Sequence, residues 1–352
     1  MLILFVVLAG LSIYKIKYAS FHKDYMGYDQ TASLKGIFAI IIIFSHLRGY
    51  MSLSDHFLDT SYETVLNLIG QLMVSIFFFF SGYGIVKSYE RKENYQKGFF
   101  KNRILKVLMH FDIAVLIYLV LSLILGDYYS WYEYVFSFVG WESIGNSNWF
   151  VFVALALYVI TYVAFLIAGK INSQHRSKIV VSLVVVMSGI LLIVLHYVKH
   201  SQYWYDTIFC YSFGMMYGLL KDKIDELLTK SKKFHWCAII VSGVLFALTY
   251  YLTRKFNPLA LSYNMCACLF CLFIVMLTTK VRLDNCILRW LGKNSFWIYI
   301  LQRIPMIVLS RAGVTNAYAL ALLSIVITLL ISYLFGMLVD KIDKKLFKQK
   351  AI

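Results

Sequence analysis

The sequence predicts an all-α protein that crosses a membrane many times, and three observations carry that prediction. Of its 352 residues, 61% are hydrophobic and 15% are charged, whereas roughly 25% of residues are charged in ordinary soluble domains. Apolar runs near the ~20 residues that cross a ~30 Å hydrocarbon core as helix recur from one end to the other. Lys and Arg gather in alternate connections between those runs, the pattern of a positive cytoplasmic side.

Eleven spans are expected, at 1–14, 33–53, 64–86, 104–126, 148–169, 178–196, 203–220, 234–252, 259–279, 287–309 and 317–339. The connections from Lys15, Lys87, Lys170, Lys221, Lys280 and Lys341 onward hold 25 basic residues, and the intervening ones hold four, Lys199, Arg254, Lys255 and Arg311. That asymmetry places the N-terminus outside and the C-terminus in the cytoplasm. It also accounts for the net charge of +16, so no nucleic-acid partner is expected.

The first run has no basic residue ahead of it and several behind, the reverse of a cleavable signal peptide, and reads as a retained anchor. Three parts are expected: residues 1–32 as anchor helix and cytoplasmic loop, 33–339 as one membrane domain, and 340–352 as a basic tail. Two prolines and no Gly/Ser/Pro linker argue against a separate soluble domain. The outer stretch 127–147, "DYYSWYEYVFSFVGWESIGNS", is acidic and aromatic; it is expected to lie on the membrane or to dip back into it. The six cysteines sit in or beside apolar spans, and "CACLFC" lacks metal-site flanks and a nearby histidine, so packing is their expected role and no metal is expected.

Polar side chains at membrane depth cost several kcal/mol unless paired or hydrated, which makes each a functional candidate. In "LKGIFAIIIIFSHLRGY", Lys35 and His46 stand eleven residues apart, about 20° apart around a helix and about 16 Å along it. They share one face; a snorkelling lysine and a core histidine are the bland alternative. In "FFKNRILKVLMHFD", Arg103, Lys106 and His110 fall within about 60° on an α-helical wheel, a cationic stripe climbing from the cytoplasm. In "LRWLGKNSFWIYILQRIPMIVL", Ser295, Tyr299 and Gln302 line one face, Arg303 adjoins it, and Pro305 is expected to kink the helix beyond. Gln71, Ser75 and Gly82 share a face in the third span, where small residues let another helix approach.

Together these residues predict a polar cavity open to the cytoplasm through Lys35, Arg103 and Lys106, with His46 as its deepest titratable group. Cations at the mouth favour an anionic ligand. An imidazole, with an ordinary pKa of about 6.5, suits proton removal from a hydroxyl.

At this point the sequence resembles the membrane acyltransferase-3 family over roughly residues 30–310. "KGIFAIIIIFSH" is similar to the family's basic residue, ten residues, then histidine, with Lys35 where Arg is usual. "SIFFFFSGYGI" resembles its Phe-rich segment ending in Ser-Gly-aromatic, and "FFKNRILKVL" its basic-x-x-basic element, with Leu108 where Pro is common. "NWFVFVALALY", "FCYSFGMMYGLL" and "LGKNSFWIYILQ" resemble its later segments through Trp149 and Phe150, Gly214, and Ser295 and Tyr299, with Gln302 where many members carry histidine. That last departure leaves His46 to act without a second imidazole.

The resemblance implies a ten-helix core preceded here by one extra helix, in a stand-alone member lacking the extracellular esterase-like domain of some relatives. It implies transfer of an acyl group, acetyl above all, from cytoplasmic acetyl-CoA or another acyl-CoA to a hydroxyl of a surface or lipid-linked glycan in a bacterial plasma membrane. Acyl-CoA is then a co-substrate, and membrane lipid and a glycan or glycolipid are the partners. His46 becomes the catalytic base or acyl acceptor, and Lys35, Arg103 and Lys106 the donor-binding cations. Ser295, Tyr299 and Gln302 become candidate oxyanion or supporting groups, and Glu142, Asn148 and Trp149 candidates on the acceptor side. A pantetheine arm about 16 to 20 Å long would span from the cations to His46. The rival reading, a transporter or flippase of a lipid-linked sugar, usually brings internal repeats or paired broken helices, and no repeat is visible in the sequence.

Overall fold

Hydrophobic length sets the elements of the bundle. The computed structural model describes residues 1–12, 16–53, 56–171, 175–256 and 260–347; Lys15, Lys348 and Lys350, counted above, lie outside them. In chain order the elements are α1 (Leu2–Ser12), β1 (Ile16–Tyr18), α2 (Tyr28–Leu47), α3 (Phe57–Ile69), α4 (Leu72–Arg91), α5 (Tyr95–Phe99), α6 (Lys106–Leu125), α7 (Trp131–Ser137) and α8 (Trp149–Gly169). They continue with α9 (Arg176–Val198), α10 (Phe209–Lys230), α11 (Lys232–Lys255), α12 (Ala260–Thr278), β2 (Val281–Leu283), α13 (Cys286–Lys293), α14 (Ser295–Leu301), α15 (Arg303–Arg311) and α16 (Ala317–Leu346).

Among the described residues, eight helical segments are long and apolar enough to cross a membrane, so the chain is an all-α, multi-pass membrane protein. The other three of the eleven expected spans take different forms. The run at 1–14 gives an eleven-residue helix, α1. The run at 203–220 becomes α10, whose second half carries Lys221, Asp222, Lys223, Asp225 and Glu226. The run at 287–309 is cut into α13, α14 and α15. Its break at Gln302 has a covalent cause: Pro305 offers no N–H to the Leu301 carbonyl four residues back, and its ring crowds that oxygen. The expected kink therefore falls before the proline.

Lipid-facing surfaces are legible in exposure. On α9, Val186, Ile190 and Ile193 stay exposed, and on α11 so do Ile240, Val244 and Leu248. Their three- and four-residue spacing marks one apolar face of each helix turned away from the bundle.

Inside the bundle, glycine sets two tight crossings. α4 packs on α10 with Gly82 against the backbone of Tyr211 and Gly214 against that of Phe79; a Cβ on either glycine would lie 2.0 Å from a carbonyl oxygen. α2 packs on α13 in the same way, where a Cβ on Gly292 would lie 1.7 Å from the Ala32 carbonyl and one on Gly36 2.2 Å from that of Leu288. Backbone cannot yield as a side-chain tip can, so these helices are locked in register.

Contacts between loops respect the alternation read from the sequence. β1 pairs antiparallel with β2, Lys17 opposite Arg282, and Lys17 and Arg289 both bind Asp284. Arg311 meets Asp127 at 2.6 Å and Lys199 meets Glu142 at 3.3 Å. Each pair joins connections expected on the same side. Residues 340–346, expected as tail, instead form the last turns of α16 and bring Asp343 into the protein interior.

Candidate active site

Lys35 sits two turns into α2 and faces a cavity of about 700 Å³ between α2, α4, α6, α8, α13 and α14. Six Lys and Arg line it, Lys35, Lys87, Arg91, Lys92, Arg103 and Lys293, and no Asp or Glu does. Lys87 is held by Glu90 at 3.0 Å; the other five have no carboxylate partner among the described residues. Lys35 and Arg103 lie close enough to repel each other, a cost that an anion between them would relieve.

The stripe of Arg103, Lys106 and His110 does not survive folding. Residues Phe100–Leu105 form a π-helical turn between α5 and α6, and its wider winding breaks the α-helical wheel that had aligned them. Arg103 turns into the cavity among Tyr95, Tyr158 and Tyr211. Lys106 leaves it and pairs at 2.5 Å with Asp343 of α16, whose other oxygen takes His110 Nε2 at 3.1 Å. His110 keeps an edge on the cavity.

Phe78, Phe150, Tyr299 and Gln302 also line the cavity. Ser295, Tyr299 and Gln302 all line it, as their spacing predicted, although the breaks at Asn294 and Gln302 leave only α14 between them. Ser295 is nearer the mouth and donates back to the Gly292 carbonyl at 2.9 Å. Gln302, fully buried, donates to the Tyr299 carbonyl at 3.1 Å, and its own carbonyl oxygen accepts nothing. The Tyr299 ring stands against Phe150, with centroids 5.3 Å apart, and against His46 at 6.1 Å.

His46 is not among the lining residues; it lies in the last turn of α2, next to Tyr299, which is. Its Nδ1 is 3.3 Å from Ser147 Oγ. The stretch 127–147 therefore does turn inward: after the capped helix α7, Ile144, Asn146 and Ser147 are buried. Gly145, at φ +97°, packs near Tyr118 and Ile307; a positive φ of this kind suits glycine, which has no Cβ to clash. Asn148 spends its side chain on the Gly140 carbonyl at 3.0 Å, and Glu142 binds Lys199. Trp149 faces Tyr203 with ring centroids 5.6 Å apart. The charge of Arg303 reaches His46, Tyr50, Tyr118 and Tyr299.

Sequence reasoning missed Ser147, whose only signal was its place at the end of an aromatic outer loop. It also counted Arg91 and Lys92 as ordinary flanking charge and gave Lys293, inside the expected span 287–309, no role. Among the described residues no cluster of three or more His, Cys, Asp or Glu could hold a metal.

The fold and site define a multi-pass membrane protein whose internal cavity is lined by six Lys and Arg and by no Asp or Glu. Residues 33–337 match the acyltransferase domain family, acyltransferase-3, and the chain belongs to it; it is a membrane acyltransferase. No curated protein and no solved structure matches the chain.

Proposed function

We propose that the protein is an O-acetyltransferase that takes the acetyl group of cytoplasmic acetyl-CoA and passes it to a hydroxyl of a surface or lipid-linked glycan, with His46 as general base. The supporting observation is the cavity: five cations without carboxylate partners at one end, and at the other the Tyr299 ring that touches both the cavity and His46. The phosphates of CoA match the cations in charge. The pantetheine arm matches the ~16 Å that α2 rises between Lys35 and His46.

Lys35 and Arg103 are the donor-binding residues in this reading, joined by Arg91, Lys92 and Lys293, while Lys106 acts on structure through Asp343. With Nδ1–H donating to Ser147, His46 Nε2 keeps its lone pair for the acceptor hydroxyl. The hydroxyl oxygen attacks the thioester carbonyl as its proton moves to Nε2; the C–S bond then breaks, and the CoA thiolate takes the proton back. Trp149 and Tyr203, with ring centroids 5.6 Å apart, offer an aromatic surface for the acceptor. The orientation that puts the N-terminus outside and the cavity mouth in the cytoplasm rests on the basic-residue count.

The test is purified protein in detergent or nanodiscs with radiolabelled acetyl-CoA and glycan acceptor. Transfer or slow hydrolysis supports the reading. Movement of a lipid-linked sugar without consumption of acetyl-CoA would favour the flippase and overturn it.

A further inference from the structure

Arg303 lies beside His46 and, unlike the six Lys and Arg above, does not line the donor-binding cavity. It stands at the first position of α15, directly after the break that Pro305 forces at Gln302. Its guanidinium forms no ion pair among the described residues, and its Nε is buried without a hydrogen bond. A guanidinium in such a place, inside a membrane protein, is costly unless an anion visits it.

Its neighbours point the same way. The hydroxyls of Tyr118, 1% exposed, and Tyr299, 7% exposed, are buried near it and make no hydrogen bond of ordinary geometry. The backbone N–H groups of Arg303 and Ile304, in the first turn of α15, lie toward the Tyr118 hydroxyl. Buried polar groups in native proteins are nearly always satisfied, so three orphans around one guanidinium call for a physical cause. All three are donors; Tyr299 and Arg303 lie beside His46, and Tyr118 of α6 lies beside Arg303.

We infer that Arg303, with Tyr299 and Tyr118 beside it, is the oxyanion-binding group of the acyl transfer. The inference rests on the acyltransferase reading above. When the acceptor oxygen bonds to the thioester carbon, the carbonyl π electrons move onto its oxygen, and a full negative charge develops where the donor's end meets His46. The mouth cations bind CoA phosphates equally before and during the reaction; Arg303 meets charge that exists only at the tetrahedral stage. Preorganised donors of this kind act on kcat. Gln302, one residue earlier and lining the cavity, holds the boundary between the two sets of cations.

The test compares wild type, Arg303→Met and Arg303→Lys at matched thermal stability. Arg303→Met should lower kcat by about 10²–10³-fold, leave the KM for acetyl-CoA within about threefold, and be partly restored by Arg303→Lys. A binding measurement needs no turnover: a CoA thioether ending in a sulfonate, which places anionic oxygens at the reacting position, should bind wild type at least tenfold more tightly than Arg303→Met, while CoA itself binds both alike. Equal affinity of both proteins for the sulfonate overturns the inference, as does a raised acceptor KM with kcat intact, which would make Arg303 an acceptor-recognition residue. Failure of wild type to bind CoA at all would instead remove the acyltransferase reading beneath it.

Discussion

The two ends of the site handle charge in opposite ways. At the mouth, cations are numerous, come from α2, α4, α13 and the π-turn before α6, and face open space. Beside His46, the Arg303 Nε and the Tyr299 hydroxyl are buried without hydrogen-bond partners, and Arg303 forms no ion pair among the described residues. Abundant charge at an open mouth is suited to capture and is screened by salt. Sparse donors whose polar atoms are buried are suited to stabilising one brief species, because each acts with little competition from water.

The largest break of this contrast is His46→Ala. It should lower kcat by about 10²–10⁴-fold with acetyl-CoA binding retained, since general-base catalysis contributes on that scale. Glycan acetylation at matched membrane levels reads it, and near-normal acetylation would remove His46 from the chemistry.

Next comes Arg103→Ala, expected to raise the KM for acetyl-CoA by roughly 10- to 100-fold, the worth of a charge-assisted contact, with kcat largely kept. The comparison sharpens with Lys106→Ala. Because Lys106 is bound to Asp343 and lies off the cavity, that variant should change KM little and show itself as a lowered melting temperature. A KM effect equal to that of Arg103→Ala would put Lys106 back among the donor ligands.

A smaller effect is expected of Ser147→Ala. Losing one neutral hydrogen bond to the imidazole costs about 0.5–1.5 kcal/mol, or roughly 2- to 10-fold in kcat, with KM for the donor unmoved. Unchanged kcat would mean that Ser147 does not orient His46.

The smallest lies at the strand pair. Lys17 first, then Arg289, hold the exposed Asp284 carboxyl down at about 2, below its ordinary value of about 3.9. A depressed carboxyl stabilises the fold above the ordinary value and loses that contribution as pH falls toward 2. Wild type should therefore be slightly more stable than Asp284→Asn at pH 6, and the two should converge near pH 2. A gap that persists in acid would assign the difference to something other than the carboxylate.

The sequence by itself determined the membrane class, the long helices and the alternation of loops, because these depend on apolar length and on where Lys and Arg fall. It also determined that Lys35 and His46 ride one helix, and that Gly82 sits on a small-residue face open to another helix, since i-to-i+n spacing is local geometry. Tertiary structure decided the rest. One π-turn parted Arg103 from Lys106, and Asp343, read as tail, claimed the lysine. One proline broke the tenth span and set Arg303 at a helix start. Ser147 met His46 across 101 residues. Each of these is a contact between distant segments or a change in helical winding, and neither leaves a periodic trace in a single chain.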